Sequence, residues 1–421
     1  MLLAKRKSRS QVTYRLPRGG RFYWKGEKMN EQMKKFGSMG SPIRAMWARA
    51  TKEKEEIGED NVFDFTLGNP SVPSPKSMDE TLIELLSREN TLPVHEYTQS
   101  KGAPYARKAV AEFLNKKYQA NVSADRVIIT SGAAPGLAIG LSAVLSPGEE
   151  VLTFQPYYSE YNPIVFKAGG ILKPVKTDES FMPVEDYLRE AIGPKTRVLL
   201  IDSPNNPTGM FYDEAVILMI VRVLKEKSEE FGQPIYLFSD EPYRELLYVD
   251  KPYPFITKYY ESSIVSYSFS KSLSIPGERI GYLLTGENNP EKEDLYRAFI
   301  GVARSTGYVC ASSLFQRALP MIIDKTSDLK VYERNRKLII DGLRNIGYEF
   351  AVPEGAFYIF VKALEEDSLA FAEVAVKHHI YFVPSDYFGV KGYVRIAYCV
   401  NEKTIVDSMP RFKELFDFYR K

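Results

Sequence analysis

Between residues 126 and 303, apolar runs and amphipathic stretches take turns along the chain, joined by short connections. Residues 126–130, 150–154, 171–175, 197–202, 235–239 and 263–268 are short apolar runs rich in Val, Ile and Leu. They are apolar along their length rather than at every second position, which predicts strands covered on both faces. Residues 135–145, 158–166, 184–192, 214–231 and 292–303 carry helical spacing. The alternation predicts an α/β fold, a three-layer α/β/α arrangement around a mostly parallel sheet.

The flanks read differently. Before the alternation come a helix over 41–56, a strand over 62–67 closed by Gly68-Asn69-Pro70, a helix over 78–87 and an amphipathic helix from Gly102 to about residue 118. After about residue 312 one long helical stretch reaches 346. Strands follow at 357–361 and 393–397, with helices at 369–378 and 404–419. At 421 residues the chain exceeds one ordinary core. The expected division is a basic, flexible arm over 1–37, a large domain over 75–305, and a smaller α+β domain assembled from 38–74 and 306–421. No internal repeat or low-complexity tract interrupts it.

Composition narrows the class. Apolar content of 44% and charged content of 26% are those of a soluble globular protein. The formal charge of +2 hides a leader: residues 1–28 hold nine Lys/Arg against Glu27 alone, leaving the remainder near −6. A mildly acidic body does not favour nucleic acid. The leader lacks the apolar segment of a secretory signal and reads as an arm, a transit peptide, or an extension upstream of a start at Met29. Cys310 and Cys399 are too few and too far apart for a disulfide framework or zinc site. His95, His378 and His379 offer little to a histidine hydrolase, and no metal site is expected. No run is long and apolar enough to cross a bilayer, so the cytoplasm is the expected compartment.

In open α/β sheets ligands gather at the carboxyl ends of the strands. Here those ends carry Thr130-Ser131-Gly132-Ala133-Ala134, Asp202-Ser-Pro-Asn-Asn-Pro-Thr-Gly209, Ser239-Asp240-Glu-Pro-Tyr243 and Ser268-Phe-Ser-Lys271. Lys271 follows a strand among small residues. A lysine there is either a solvated surface amine or one able to form an imine with a carbonyl compound.

The landmarks Gly68, Tyr97, Ser131-Gly132-Ala133, Pro156-Tyr-Tyr158, Asn205-Asn-Pro-Thr-Gly209, Asp240-x-x-Tyr243, Ser268-x-x-Lys271, Arg279 and Arg395 occur in an order and spacing that resemble the class I/II aminotransferases of fold type I, which depend on pyridoxal phosphate. The resemblance spans about residues 40–420. It implies that Lys271 links to the cofactor aldehyde and later shuttles the proton, and that Asp240 lies against the pyridine nitrogen. Asn206 and Tyr243 face the ring's phenolic oxygen and Tyr158 stacks on the ring. Arg279, Ser268, Ser131 and the Gly132, Ala133 and Ala134 amides hold the phosphate. Tyr97 matches a tyrosine reaching the phosphate from the other subunit of a homodimer; a buried tyrosine within its own chain is the alternative. Arg395, with Gly68 and Asn206, matches the fork for the substrate α-carboxylate. Phe357 either lines the substrate pocket or fills core. Arg304 stands near a second substrate arginine of some members, without a context that aligns.

The activity implied is transfer of an amino group from an L-amino acid, of aspartate, alanine or aromatic type, to a 2-oxo acid such as 2-oxoglutarate. The alternative on the same scaffold is a C–S β-lyase. An aminotransferase-like transcription regulator is disfavoured, because residues 1–40 are too short for a DNA-binding domain.

Overall fold

Side chains along the central strands divide between two cores, one on each face of a single sheet. Val151, Val198, Leu200, Phe238 and Ile264 point to one side, while Leu152, Leu199, Ile201, Leu237 and Val265 point to the other. The computed structural model describes residues 30–39 and 41–420, so the expectations for the basic leader fall largely outside the described residues. Residues 30–39, taken by themselves, form helix α1 (Glu31–Met39), where Asn30 Oδ1 accepts from the Met33 N–H at 3.0 Å. This helix lies in the stretch read as an arm.

The larger unit begins with α2 (Pro42–Ile57), β1 (Phe63–Asp64), α3 (Lys76–Leu86), α4 (Leu92–His95) and α5 (Pro104–Tyr118). Then come β2 (Val127–Thr130), α6 (Ala133–Val144), β3 (Glu150–Phe154), α7 (Tyr161–Lys167), β4 (Ile171–Val175), α8 (Glu185–Ala191), β5 (Thr196–Asp202), α9 (Glu214–Phe231) and β6 (Tyr236–Asp240). Next are β7 (Ser263–Ser268), α10 (Phe269–Ser272), β8 (Gly281–Thr285), α11 (Lys292–Thr306), α12 (Ser313–Ile322) and α13 (Lys330–Ile346). The chain closes with β9 (Tyr358–Lys362), α14 (Ser368–Lys377), β10 (Ile380–Tyr381), β11 (Val383–Pro384), β12 (Tyr393–Ala397) and α15 (Glu402–Phe418).

The central sheet has the order β2-β8-β7-β6-β5-β3-β4 and is parallel except around β8, which runs antiparallel to both neighbours. Helices α5, α9 and α12 cover one face; α6, α7 and α11 cover the other. The three-layer α/β fold is as expected. Helix ends obey local chemistry: Asp213 caps α9 by accepting from the Val216 N–H at 3.3 Å, and Gly232 closes it at φ +64°. A three-stranded antiparallel sheet, β11-β12-β9, and the pair β1-β10 form with α13, α14 and α15 another core around Tyr332, Phe357, Ile359, Phe371 and Phe412.

Three expectations need correction. The strand over 62–67 shrinks to Phe63–Asp64, because Asp64 Oδ1 turns back to accept from both the backbone N–H and the hydroxyl of Thr66. The helical stretch after 312 is two helices, α12 and α13, broken where Ser327 N–H and hydroxyl turn to the Ser272 carbonyl. Strand β8 is absent from the expected set. It returns directly from the turn after α10, without a helical crossover.

Candidate active site

Strand β7 ends at Ser268, whose hydroxyl oxygen accepts from the Ser270 N–H at 3.2 Å and so caps the four-residue helix α10. That single turn carries Lys271. Its amine donates to the Gly68 carbonyl at 2.7 Å and lies 5.5 Å from the Phe357 ring centre. Burial, with the positive charges of Arg279 and Arg395 adding to it, pulls the amine down to about 8. No carboxylate pairs with it among the described residues. Cys399 is its buried neighbour, and burial pushes that thiol up to about 12.

Asp240 ends β6 and is 4% exposed. Its Oδ2 accepts from the Tyr161 hydroxyl at 3.1 Å, while its Oδ1 is buried with no partner. Burial raises its proton affinity to about 7, and the charge of Glu241 adds to the rise. Glu241 in turn meets Arg244 at 2.9 Å, and that guanidinium stacks 4.2 Å from the Tyr267 ring centre. Tyr158 stands edge-on to Tyr161, ring centres 5.6 Å apart. The electrostatic reach of Asp240, Arg395 and Tyr358 meets at Tyr158.

Strand β2 delivers Ser131 and Gly132 to the start of α6, where the first N–H groups of the helix have no intrahelical acceptor. Gly132 sits at φ +98°, and a Cβ there would lie 2.6 Å from Arg279 Nη2. Arg279 itself adopts φ +52°, with its Nη1 donating to the Pro276 carbonyl at 2.9 Å. Arg279 therefore lies over the α6 N-terminus, with Ala134 exposed beside it. The geometry is that of an anion cradle.

Arg395 sits in the middle strand of the three-stranded sheet and is 1% exposed, so it is not a surface strand residue. Its Nη1 donates to Asn206 Oδ1 at 2.9 Å and its Nη2 to the Thr66 carbonyl at 2.5 Å, while its Nε is buried without a partner. The guanidinium lies 4.5 Å from the Tyr358 ring centre, and no acid pairs with it among the described residues. A buried, unpaired cation costs several kcal/mol unless an anion arrives. Gly68 faces the same wall: a Cβ there would fall 1.8 Å from Tyr358 Oη and 3.0 Å from Phe357 Cε2. The Tyr358 hydroxyl bonds that of Tyr243 at 2.8 Å. Phe357 is wholly buried and belongs both to the core and to this wall.

Lys271, Gly68, Phe357, Tyr243, Asn206 and Arg395 are thus linked in one neighbourhood, and Asp240 with Tyr158 adjoins it. Tyr97 is not brought there. It is 95% exposed, which removes the buried alternative, and its segment is tied to α12 by the Gln316 side chain donating to Thr98 Oγ1 at 3.1 Å. Arg304, in the last turn of α11, is also exposed. Three residues with a place in this site are not singled out by the sequence: Tyr161, Asp202 and Tyr358. Tyr358 directly follows Phe357, and Asp202 opens the strand-end stretch 202–209 without a role of its own there; Tyr161 carries no local signal.

The donor set fits a phosphate-bearing heteroaromatic aldehyde: an anion cradle, a buried carboxylate oxygen without a donor, and an amine able to lose its proton. A family model described as aminotransferase class I and II matches residues 60–407. The chain belongs to that family. Its aminotransferase relatives depend on pyridoxal phosphate, and family and relatives together make this chain a transaminase. This aminotransferase is 27% identical over 366 residues to the aspartate aminotransferase of Thermotoga maritima, covering 86% of this chain and 92% of that protein. It is 28% identical over 359 residues to the aspartate/prephenate aminotransferase of Thermus thermophilus, covering 83% and 89%. Among solved structures, an amino transferase from Eubacterium rectale superposes with a TM-score of 0.91 at 43% identity, over 94% of this chain and 100% of that one. The Thermus thermophilus aspartate aminotransferase with maleate gives 0.80 at 26% identity, over 93% and 100%. No helix among the described residues is long and apolar enough to cross a membrane.

Proposed function

We propose that this aminotransferase binds pyridoxal 5'-phosphate at Lys271 and transfers an amino group from an L-amino acid to a 2-oxo acid such as 2-oxoglutarate. The observation that carries the reading is the amine of Lys271, depressed to about 8 and held only by a backbone carbonyl, in the field of two arginines. When bound, the cofactor supplies the electron sink for a charge developing on the substrate α-carbon. The chain's own residues do the rest. Arg395, aided by Asn206, orients the α-carboxylate. The free oxygen of Asp240 takes the hydrogen bond of a protonated ring nitrogen, and Tyr243 with Asn206 faces the phenolic oxygen. Tyr158 covers the ring face. Arg279, Ser268, Ser131 and the amides of Gly132, Ala133 and Ala134 seat the phosphate. The amine of Lys271 moves the proton from the substrate α-carbon.

We propose a cytoplasmic homodimer in which Tyr97 of one protomer completes the site of the other. Its exposure supports this, together with exposed Ile83, Leu86, Leu92 and Met321 on α12 and on the helices α3 and α4 that both pack against it. The central sheet and the β9-containing sheet are read as the large and small domains. Relatives named for aspartate, and for aspartate with prephenate, support a dicarboxylic substrate such as aspartate.

The test is the absorption spectrum of the cofactor-loaded protein with a series of L-amino acids. Loss of the lysine-bound band with particular donors and its return with 2-oxoglutarate is the expected outcome. A persistent band with pyruvate and ammonia accumulating would replace transfer by β-elimination.

A further inference from the structure

Strands β5 and β6 run parallel and pair Asp202 with Asp240 at their carboxyl ends. Register partners on neighbouring strands project from the same face, on backbones about 4.8 Å apart. Asp202 is 5% exposed and Asp240 is 4% exposed. One oxygen of each is satisfied: Asp202 Oδ2 by the Asn206 N–H at 2.8 Å, Asp240 Oδ2 by the Tyr161 hydroxyl at 3.1 Å. The other oxygen of each, Oδ1, is buried with no partner. Among the described residues no lysine, arginine or histidine forms an ion pair with either.

The surroundings supply no compensating charge. Tyr161 from α7, Tyr212 beyond β5, Tyr243 beyond β6 and Tyr358 from β9 face the pair as neutral phenols. Glu241 is the other acid at hand; it meets Arg244 at 2.9 Å, and burial pushes it up to about 7 against the pull of that guanidinium. Two adjacent buried carboxylates cannot both ionise without a cation. Both are pushed upward, by burial first, and the charge of Asp240 adds to the rise at Asp202.

We propose that Asp202 and Asp240 hold one proton between them, and that Asp202 keeps it so that Asp240 presents a single negative charge to the ring nitrogen. The second half rests on the cofactor reading above; the first half does not. Asp202 then acts as a positioning residue. Its carboxyl O–H supplies the donor that the paired oxygens lack, and it touches neither substrate nor cofactor.

The test uses the cofactor-free protein and infrared difference spectra across a titration from about pH 5 to about pH 9, above the range of exposed carboxyls. A protonated-carboxyl band persisting at neutral pH and vanishing in Asp202→Asn is the expected result. A raised carboxyl pKa in the fold is stabilising at acid pH, and that contribution is lost as pH rises. The melting temperature of the unmutated protein should therefore fall between about pH 4 and the folded-state titration, and fall less in Asp202→Asn. Absence of the band at neutral pH, or its survival in Asp202→Asn and loss in Asp240→Asn, overturns the proposal. Should the variant not fold, carbon-13 titration of the unmutated protein labelled at its aspartate carboxyls, which leaves Glu241 silent, decides the same question: an aspartate carboxyl still protonated at neutral pH upholds the shared proton, and none overturns it. Failure of the cofactor reading is seen separately, as no absorbance change on adding pyridoxal phosphate, with the carboxyl band untouched.

Discussion

Arg395 and Asn206 are joined by a hydrogen bond of 2.9 Å although one lies in the three-stranded sheet and the other in the turn after a strand of the central sheet. Arg395 comes from β12, and Asn206 follows β5. The bond orients a guanidinium that has no acid partner among the described residues, leaving its remaining face for a planar anion. Arg395→Lys keeps the charge and removes the fork. A charge-assisted pair contributes about 2 kcal/mol, or about 30-fold. The expected outcome is a fall of that order in kcat/KM for every amino acid, carried mainly by KM. Steady-state kinetics on three unlike donors checks this, and an effect confined to one donor contradicts it.

Lys271 is nucleophilic only without its proton. Its amine is pulled down to about 8 by burial and by two neighbouring arginines, so the rate of linkage to added pyridoxal phosphate should climb with pH through about 8 and level off above. Stopped-flow absorbance on the cofactor-free protein reads this directly. An inflection near the free-lysine value would contradict the enclosed amine. Lys271→Ala should show no linkage and no transamination, with an unchanged circular dichroism spectrum.

Gly68→Ala tests the close approach of Tyr358. The new methyl would sit 1.8 Å from its hydroxyl oxygen, so the ring must move and its bond to Tyr243 must stretch. Overpacking of this kind costs about 1–3 kcal/mol. A lower melting temperature together with a lower kcat is expected, since the carbonyl that holds Lys271 shifts too. Unchanged values of both would show that the wall yields freely.

Tyr97→Phe should weaken pyridoxal phosphate binding about 30-fold, the size of one hydrogen bond to a charged group. Mixed dimers with Lys271→Ala protomers distinguish the source of the hydroxyl. The site built on the Tyr97→Phe protomer then receives an intact Tyr97 from its partner, and its affinity should recover. Persistent weakness in the mixed dimers would place the effect within one chain.

Much of this was legible in the sequence, for identifiable reasons. Strands β3 and β7 match the runs 150–154 and 263–268, because each is buried throughout and its apolar centre, Val151-Leu152 or Ile264-Val265, is β-branched or aliphatic. Lys271, Asp240, Asn206 and Arg395 stand out because a charge or amide at a strand end or within a strand breaks that rhythm. Strand β8 breaks the rhythm of helical crossovers that marks the other strands, because it returns antiparallel to β7 after a short turn. Asp202 and Tyr161 escaped for another reason. One opens a turn motif and the other begins a helix, and only the pairing of β5 with β6 and the docking of α7 bring both to Asp240.

The amine of Lys271 is parked on a neutral dipole, the Gly68 carbonyl, rather than locked to an acid. Leaving that berth exchanges one neutral acceptor for another, at about 1 kcal/mol, whereas abandoning a buried carboxylate would cost about 3–5 kcal/mol and strand a charge behind it. Under the chemistry proposed for Lys271, an amine that must let go and return in every cycle is thereby kept on a loose tether. The turnover can repeat without the protein having to tear an ion pair apart each time.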